Sequence, residues 1–598
     1  MSTAPALPRS TRGFIVAIAL LQGLLLYLAR SGHVLDGHSA QICWYALVLS
    51  VPSAMILSVQ ELRDRRFWQQ SLGLAAIYAV LAAWAGWSVT GAPQIKAGAV
   101  LWPFGASVAI ALFIALPYLQ CRIAHRRWSA PYPDLFEYGW QNALTLILTG
   151  VFVGISWGVL ALCAVLFELI GIKFFGDLFS DPRFAYLATG TMVGLGILVG
   201  RTQQRPVQVA RQILFAIFKG LLPLLSLIAV LFVVSLPFTG LDALWRTRSA
   251  TLILMCLIAL LVLFVNAVYQ DGEGEPPYPA WLRRIVEAAL LSLPIYAALG
   301  LYALGLRIAQ HGWTGDRFWA LVASLLLSAY AFGYAWAALR PRQGWLRPLM
   351  RVNVIVSLVA LAFAIAANSW LLDPHRLSVG DQLARLHDDR IAAEDFDLRH
   401  LRFYSGRRGY EALLALRRDP KFATAAEKAE LERVIKLDTP WDYLANRSDK
   451  SPNTLAAVRE HIKPAPGADT PDPAWLQIVL DGKLFTPDCL SEHAECLLFT
   501  PDLDRDGRND YLLCNTNRYG ASCFVYAFEN GAWIKIGSSY LGDRFEAIQP
   551  ALRKGDVRPV PRRWADYQFG EGGEVIRLEL ERVERAKAAA PATATKPE

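Results

Sequence analysis

Charge is in short supply in this sequence. Asp, Glu, Lys and Arg make up 18% of its 598 residues, hydrophobic residues make up 54%, and the mean hydropathy is +0.31. Soluble domains carry about 25% charged residues, so a wholly water-soluble chain is excluded. The deficit lies before Leu372, where the apolar runs hold no chain of midplane carboxylates and no arginine ladder, which argues against a pump. No internal repeat relates the two halves, which removes a common mark of a carrier. Cysteine is sparse too, eight residues without a C-x-x-C knuckle, so a four-thiolate zinc site is disfavoured. The formal charge of +8 does not point to nucleic acid, because the arginines cluster in short loops between apolar runs.

Long apolar runs are what the first part has. Eleven stretches approach the roughly 20 residues that cross a hydrocarbon core: about 13–29, 41–59, 71–90, 98–119, 142–170, 185–200, 213–236, 250–269, 285–306, 318–339 and 352–371. The first follows Arg9 and Arg12 like a signal peptide, but YLARSGHV offers no small-residue cleavage site, so it reads as a retained anchor. Tryptophans near segment ends, such as Trp68, Trp140, Trp313 and Trp319, suit an interfacial belt in a lipid bilayer. The expected class is a multispan α-helical membrane domain followed by a small α+β domain.

Alternate loops differ in basic residues. The set that begins with Arg9 and ends with Arg351 holds about 17 Lys and Arg, and the other set about 8. The first set is therefore expected in the cytoplasm and, after eleven crossings, the tail outside. Asn142, Lys219, Asn266, Glu287 and Asn353 sit on five spans, all near the cytoplasmic end. They read either as a cytoplasm-facing polar vestibule or as end-of-helix groups that snorkel or bond across helices.

Two neighbouring spans carry glycine stripes, Gly150, Gly154 and Gly158 on one and Gly190 and Gly194 on the next, with Gly196 and Gly200 beyond. Such small-xxx-small stripes let helix backbones approach in lipid, so this pair is the expected packing centre. Gly154 to Gly158 also matches G-x-S-x-G, but a helical stripe is the wrong context for a nucleophile elbow. Pro52, Pro103, Pro223 and Pro294 interrupt spans and would kink or break them.

The stretches FEYGWQNALTLILTGVFVGISWGVLALCAVLFELIGIKFFGDLF, LLPLLSLIAVLFVVSLPFTGLDALW and LFVNAVYQDG resemble the polytopic bacterial membrane family known as domain of unknown function 4153. The resemblance covers most of residues 13–371 and extends to the segment with SVGDQLARL and LRFYSGRRGYEALLAL. It implies an inner-membrane placement and brings no activity, substrate or catalytic residue with it.

Beyond the domain expected over 1–371, residues 372–437 read as amphipathic helices in an extracytoplasmic segment, 438–472 as a proline-rich linker, 473–586 as a β-rich module and 587–598 as a disordered tail. Strands are expected over 496–500, 510–514, 522–528, 532–537 and 574–581, with a hairpin turn at Asn530-Gly531. Cys489, Cys496, Cys514 and Cys523 fall within this module, and four cysteines in a compact exported domain suggest two disulfides. Cys489 with Cys496 and Cys514 with Cys523 is the preferred pairing, since the latter two flank a hairpin; free thiols and zinc are the alternatives.

The most specific motif is DLDRDGRND. Asp502, Asp504, Asp506 and Asp510 place carboxylates at positions 1, 3, 5 and 9, Gly507 permits the turn, and the Arg508 carbonyl stands at position 7, an oxygen set suited to calcium. Leu513 at position 12 departs from the EF-hand, and the loop instead resembles the D-x-D-x-D-G-x-x-D turn of FG-GAP and VCBS repeats. An empty acidic turn is the alternative. The leading expectation is an envelope scaffold or sensor that displays a calcium-stabilised module to a protein or glycan partner. A transporter or lipid-handling enzyme using the polar vestibule is the alternative, and no catalytic constellation favours an enzyme.

Overall fold

The computed structural model describes residues 7–31, 38–92, 97–127, 130–241, 244–245, 247, 249–272, 277–340, 345–437, 454–481, 489, 496–515, 522–529, 531–541, 545–557, 559, 567–568 and 575–576. Eleven helices among them are long and apolar enough to cross a membrane. In chain order they are α1 (Arg9–Arg30), α2 (His38–Ser58), α3 (Arg65–Val89), α4 (Gly98–His125), α5 (Tyr132–Leu169), α7 (Pro182–Thr202), α8 (Gln204–Thr239), α9 (Ala250–Tyr269), α10 (Ala280–His311), α11 (Gly315–Ala338) and α12 (Leu349–Ala367). The short α6 (Phe174–Ser180) separates α5 from α7. Asp64, Asp181 and Thr314 cap α3, α7 and α11 by accepting from first-turn N–H groups. Pro52, Pro103, Pro223 and Pro294 do not break their helices, which run on through them.

The spans pack as two groups. Ile15, Ile56, Phe67, Leu116 and Ile197 form the core of the first, and Leu254, Ile258, Leu290, Leu293 and Tyr296 that of the second. Tyr118 on α4 bonds to Ser357 on α12 at 2.7 Å between them.

The glycine stripes behave differently from each other. A Cβ on Gly190 would lie 2.6 Å from the Ala19 carbonyl oxygen, and one on Gly194 2.9 Å from the Ala19 Cβ, so α7 packs its stripe on α1 rather than on α5. The α5 contact is made by Thr145 and Thr149 against Gly200 and Gly196. Gly150, Gly154 and Gly158 have open space around them, which corrects the expectation that they pair with α7. The reason is rotational: the threonines occupy the face turned toward α7, and the stripe points away from it. Gly190→Leu is therefore expected to cost about 1–3 kcal/mol by overpacking, while Gly154→Leu stays within about 0.5 kcal/mol. Melting of the two variants in detergent checks this, and equal losses would contradict the packing.

After α12 come α13 (Pro374–His387), α14 (Leu398–Tyr404), α15 (Gly406–Leu416) and α16 (Ala425–Lys436). Their core is Leu386, Leu401, Phe403, Leu413, Leu416 and Val434. They belong to the same compact unit as the spans, which extends to residue 443. The segment read as helical over 372–437 is thus built onto the bundle. Arg385 reaches the carbonyls of Ile308 and Ala309 at 2.9 and 3.0 Å, at the end of α10. Arg408 pairs with the buried Asp373 at 2.5 Å, and its guanidinium lies 5.0 Å from the Trp87 ring.

The second unit begins at residue 444. Its sheet runs β1 (Ile462–Pro464), β2 (Cys496–Phe499), β3 (Tyr511–Asn515), β4 (Ser522–Glu529), β5 (Ala532–Tyr540) in spatial order, with β1 parallel to β2 and the rest antiparallel. Helices α17 (Leu455–His461) and α18 (Pro473–Leu480) contribute Val458, Trp475 and Val479 to its core. The linker expected over 438–472 therefore ends early: Val458 and Ile462 are fully buried, so 454–464 are part of the module despite the prolines that follow. A further helix, α19 (Phe545–Lys554), and a two-stranded ladder at 567–568 and 575–576 complete the described part. Residues 438–453, Asn530, 577–581 and the tail 587–598 lie outside the described residues.

Candidate functional sites

The carboxylate loop joins β2 to β3. Asp502, Asp504 and Asp510 each direct one carboxylate oxygen into a group whose members lie within 4.8 Å of one another. Asp502 accepts from the N–H groups of Arg505 and Gly507 at 2.7 and 3.1 Å, and Asp510 accepts from that of Leu503 at 2.9 Å. Arg505 and Gly507 take positive φ, 67° and 86°, which folds the loop back on itself. Asp506 is not one of the three. Its carboxylate accepts from the Arg508 N–H at 2.7 Å, so this pair holds the turn. Leu513 is fully buried in the sheet core and supplies no ligand. Burial, with the Asp504 and Asp506 carboxylates nearby, raises Asp510 above the usual carboxylate range despite the Leu503 N–H. Converging hard oxygens fit a divalent cation, which would relieve this repulsion.

The cysteines are bonded as Cys489–Cys496 and Cys514–Cys523. The second bridge joins directly opposed residues of β3 and β4, with Cα atoms 4.0 Å apart. Cys43, Cys121, Cys163 and Cys256 in the membrane unit are free.

The five intramembrane polar groups do not share one vestibule. Asn266 and Asn353 meet at the Arg-rich end in a closed ring with Tyr132 and Tyr334, one residue each from α9, α12, α5 and α11. The Tyr132 hydroxyl donates to Asn266 at 3.4 Å, Asn266 donates to Tyr334 at 2.6 Å, and the Tyr334 hydroxyl donates to Asn353 at 2.8 Å. Asn353 closes the ring on Tyr132 at 3.0 Å. Asn142 is paired reciprocally with Gln120 at 2.8 and 3.1 Å. Glu287 faces Arg283 one turn away at 3.9 Å. These groups are satisfied across or along helices, which is a packing role. The tyrosines and Gln120 were not singled out in the sequence, since an aromatic or amide at a span end carries no local mark of its partner. Arg201 donates to the carbonyls of Ile56 and Val59 at 2.7 and 2.5 Å and so caps α2.

Lys219 is the exception. It lines a cavity of about 410 Å³ formed by α8, the end of α9 and the stretch around Trp345. Arg211, Gln212, Gln270 and Asp271 share this wall. Arg211 pairs with Glu137, and the Lys219 carbonyl accepts from the Tyr278 hydroxyl at 2.7 Å.

No curated protein and no solved structure matches the chain. One family model, described as domain of unknown function DUF4153, matches residues 46–417, from α2 to the end of α15. The match includes the spans after α1 and the docked helices α13–α15, and it stops before α16 and the carboxylate loop. The chain belongs to the DUF4153 family of proteins of unknown function.

Proposed function

We propose that this protein is a scaffold or sensor of the bacterial inner membrane, whose bundle anchors an extracytoplasmic module braced by disulfides and stabilised by calcium. The observation that carries this reading is the coincidence, in one small sheet, of two bonded cysteine pairs and three converging carboxylates. Disulfides persist in oxidising compartments, and the arginine bias of alternate loops, taken with eleven candidate spans, supports a tail on that side. β5 is the last strand of the sheet and leaves Ile534, Ile536 and Tyr540 exposed, an edge suited to a protein or glycan partner.

Chelation tests the ion. With calcium at 100 times its Kd, the full-length protein in detergent is expected to gain about 2.7 kcal/mol in the C-terminal unit. Limited proteolysis in calcium and in chelator reads this, and Asp502→Asn with Asp504→Asn removes the difference. The pH dependence has a definite sign. Because the folded state raises Asp510, it holds more protons than the unfolded chain, so the chelated unit loses stability as pH rises through the carboxylate range. Calcium reverses that trend by replacing the proton. Identical proteolysis with and without calcium, or loss of activity in a phosphatase fused after Glu598 that works only outside the cytosol, would sink the reading.

A further inference from the structure

We propose that the cavity walled by Lys219, Tyr269 and Trp345 binds the phosphate group of an anionic amphiphile. The inference stands apart from the C-terminal module and rests on what the cavity wall lacks. Tyr269 is only 6% exposed, and its hydroxyl has no hydrogen-bond partner among the described residues. The indole N–H of Trp345 is buried and equally unpartnered. The two rings are neighbours, with centroids 6.5 Å apart, so both orphans belong to one patch of wall. An indole N–H donates only, and each buried donor left unmade costs about 1–3 kcal/mol. The patch therefore calls for an acceptor.

The charges ask for the same chemistry. Lys219 reaches the cavity with no side-chain partner among the described residues and supplies its positive charge, while Arg211 beside it is held by Glu137. Arg347, two residues beyond Trp345, lies close enough to Tyr269 to act on it electrostatically. Asp271, the acid on this wall, acts on Tyr269 in the opposite sense. Basic pockets between membrane helices at headgroup depth are where anionic lipid headgroups are held. This cavity has that depth, because it sits where α9 ends at Tyr269. Gly272 keeps the wall close: its φ is +77°, and a Cβ there would collide with the Tyr269 ring.

The surface beside the cavity suits acyl chains. Ile213, Ile217, Leu221 and Leu224 form an exposed strip along α8 next to the face that carries Gln212 and Lys219. A phosphate in the cavity with its tails on this strip accounts for both features.

Native mass spectrometry of the full-length protein in mild detergent tests the site, with phosphatidylglycerol, phosphatidylcholine and inorganic phosphate as probes. Phosphatidylglycerol is expected to bind at least about tenfold more tightly than phosphatidylcholine, and Lys219→Gln to remove most of that preference. Tyr269→Phe, which keeps the ring and removes the hydroxyl, and Trp345→Phe, which keeps an aromatic side chain and removes the indole N–H, are expected to weaken binding about threefold or more each. If millimolar inorganic phosphate displaces the lipid, or binds alone and is lost in Lys219→Gln, the phosphate group itself is the recognised part and a free phosphate is a second source. If phosphate displaces nothing while the lipid preference holds, the amphiphile is the ligand. Equal binding of both lipids by the wild-type protein without phosphate binding, or unchanged binding in all three variants at unchanged melting temperature, overturns the proposal.

Discussion

Arg385→Ala is expected to release helices α13–α16 from the membrane bundle at a cost of about 3–5 kcal/mol, the range for breaking a buried, fully bonded charge. Arg385 is 8% exposed. Its guanidinium donates to Asp381 at 3.1 Å and to the carbonyls of Ile308 and Ala309 at the C-terminus of α10, where Ile308 also accepts from the Gly312 N–H. The positive charge also meets the negative end of the helix dipole. Asp381 is tied down in turn, accepting from the Trp313 N–H at 2.8 Å. Alanine would leave two carbonyls and one carboxylate with lost partners at once. Gly312 makes the contact possible, because a Cβ there would sit 2.6 Å from the Asp381 carboxylate and 2.7 Å from Arg385 Nε. Arg385→Lys, a point charge without the planar fork, is expected to recover only part of the loss. Arg390→Ala is the control, since that residue sits in an exposed ion pair with Asp388. Amide hydrogen exchange over residues 374–437 in the full-length protein checks the prediction. Unchanged protection in Arg385→Ala would show that the docking rests on the aromatic and Arg408 contacts instead.

Reduction is expected to destabilise the C-terminal unit by about 5 kcal/mol and leave the membrane unit alone. The bridges close short loops, with sequence separations of 7 and 9. Loop-closure entropy then assigns about 2.5 kcal/mol to each. A small domain holds about 5–15 kcal/mol in all, so the two bridges amount to a large share of it. Cys489, Cys496, Cys514 and Cys523 all lie in the buried core of the sheet, so reduction also loosens the packing around them. The measurement is limited proteolysis of the full-length protein with and without reductant, following fragments from each unit. Equal survival of the C-terminal unit under both conditions would mean that its core alone holds it. The membrane unit serves as internal control, since its four cysteines are unbonded.

Much of this architecture was legible because it is a local property. A run of about 20 apolar residues crosses a bilayer whatever its neighbours are, and all eleven expected runs are helices. The strands at 496–499, 511–515 and 522–529 follow from short alternating segments with turn residues between them. The cysteine pairing was also within reach, since Cys514 and Cys523 flank one hairpin and the other two are seven residues apart.

The rest depended on which face of each helix turns inward. In lipid an apolar face gains nothing by being buried against another apolar face, so the hydropathy pattern leaves rotation undetermined. That is why the stripe at Gly154 looked equivalent to the one at Gly190 yet meets nothing, and why Asn266 found Asn353, 87 residues away, instead of forming a vestibule with Lys219. The sequence by itself determined the number of spans, the β module and the acidic loop, because each is decided within about 20 consecutive residues. Only the tertiary structure decided that Arg385 clamps the post-membrane helices to α10 and that Tyr269, Trp345 and Lys219 share one cavity. Those residues are 50–126 positions apart in the chain, and side-chain direction in three dimensions brings them together.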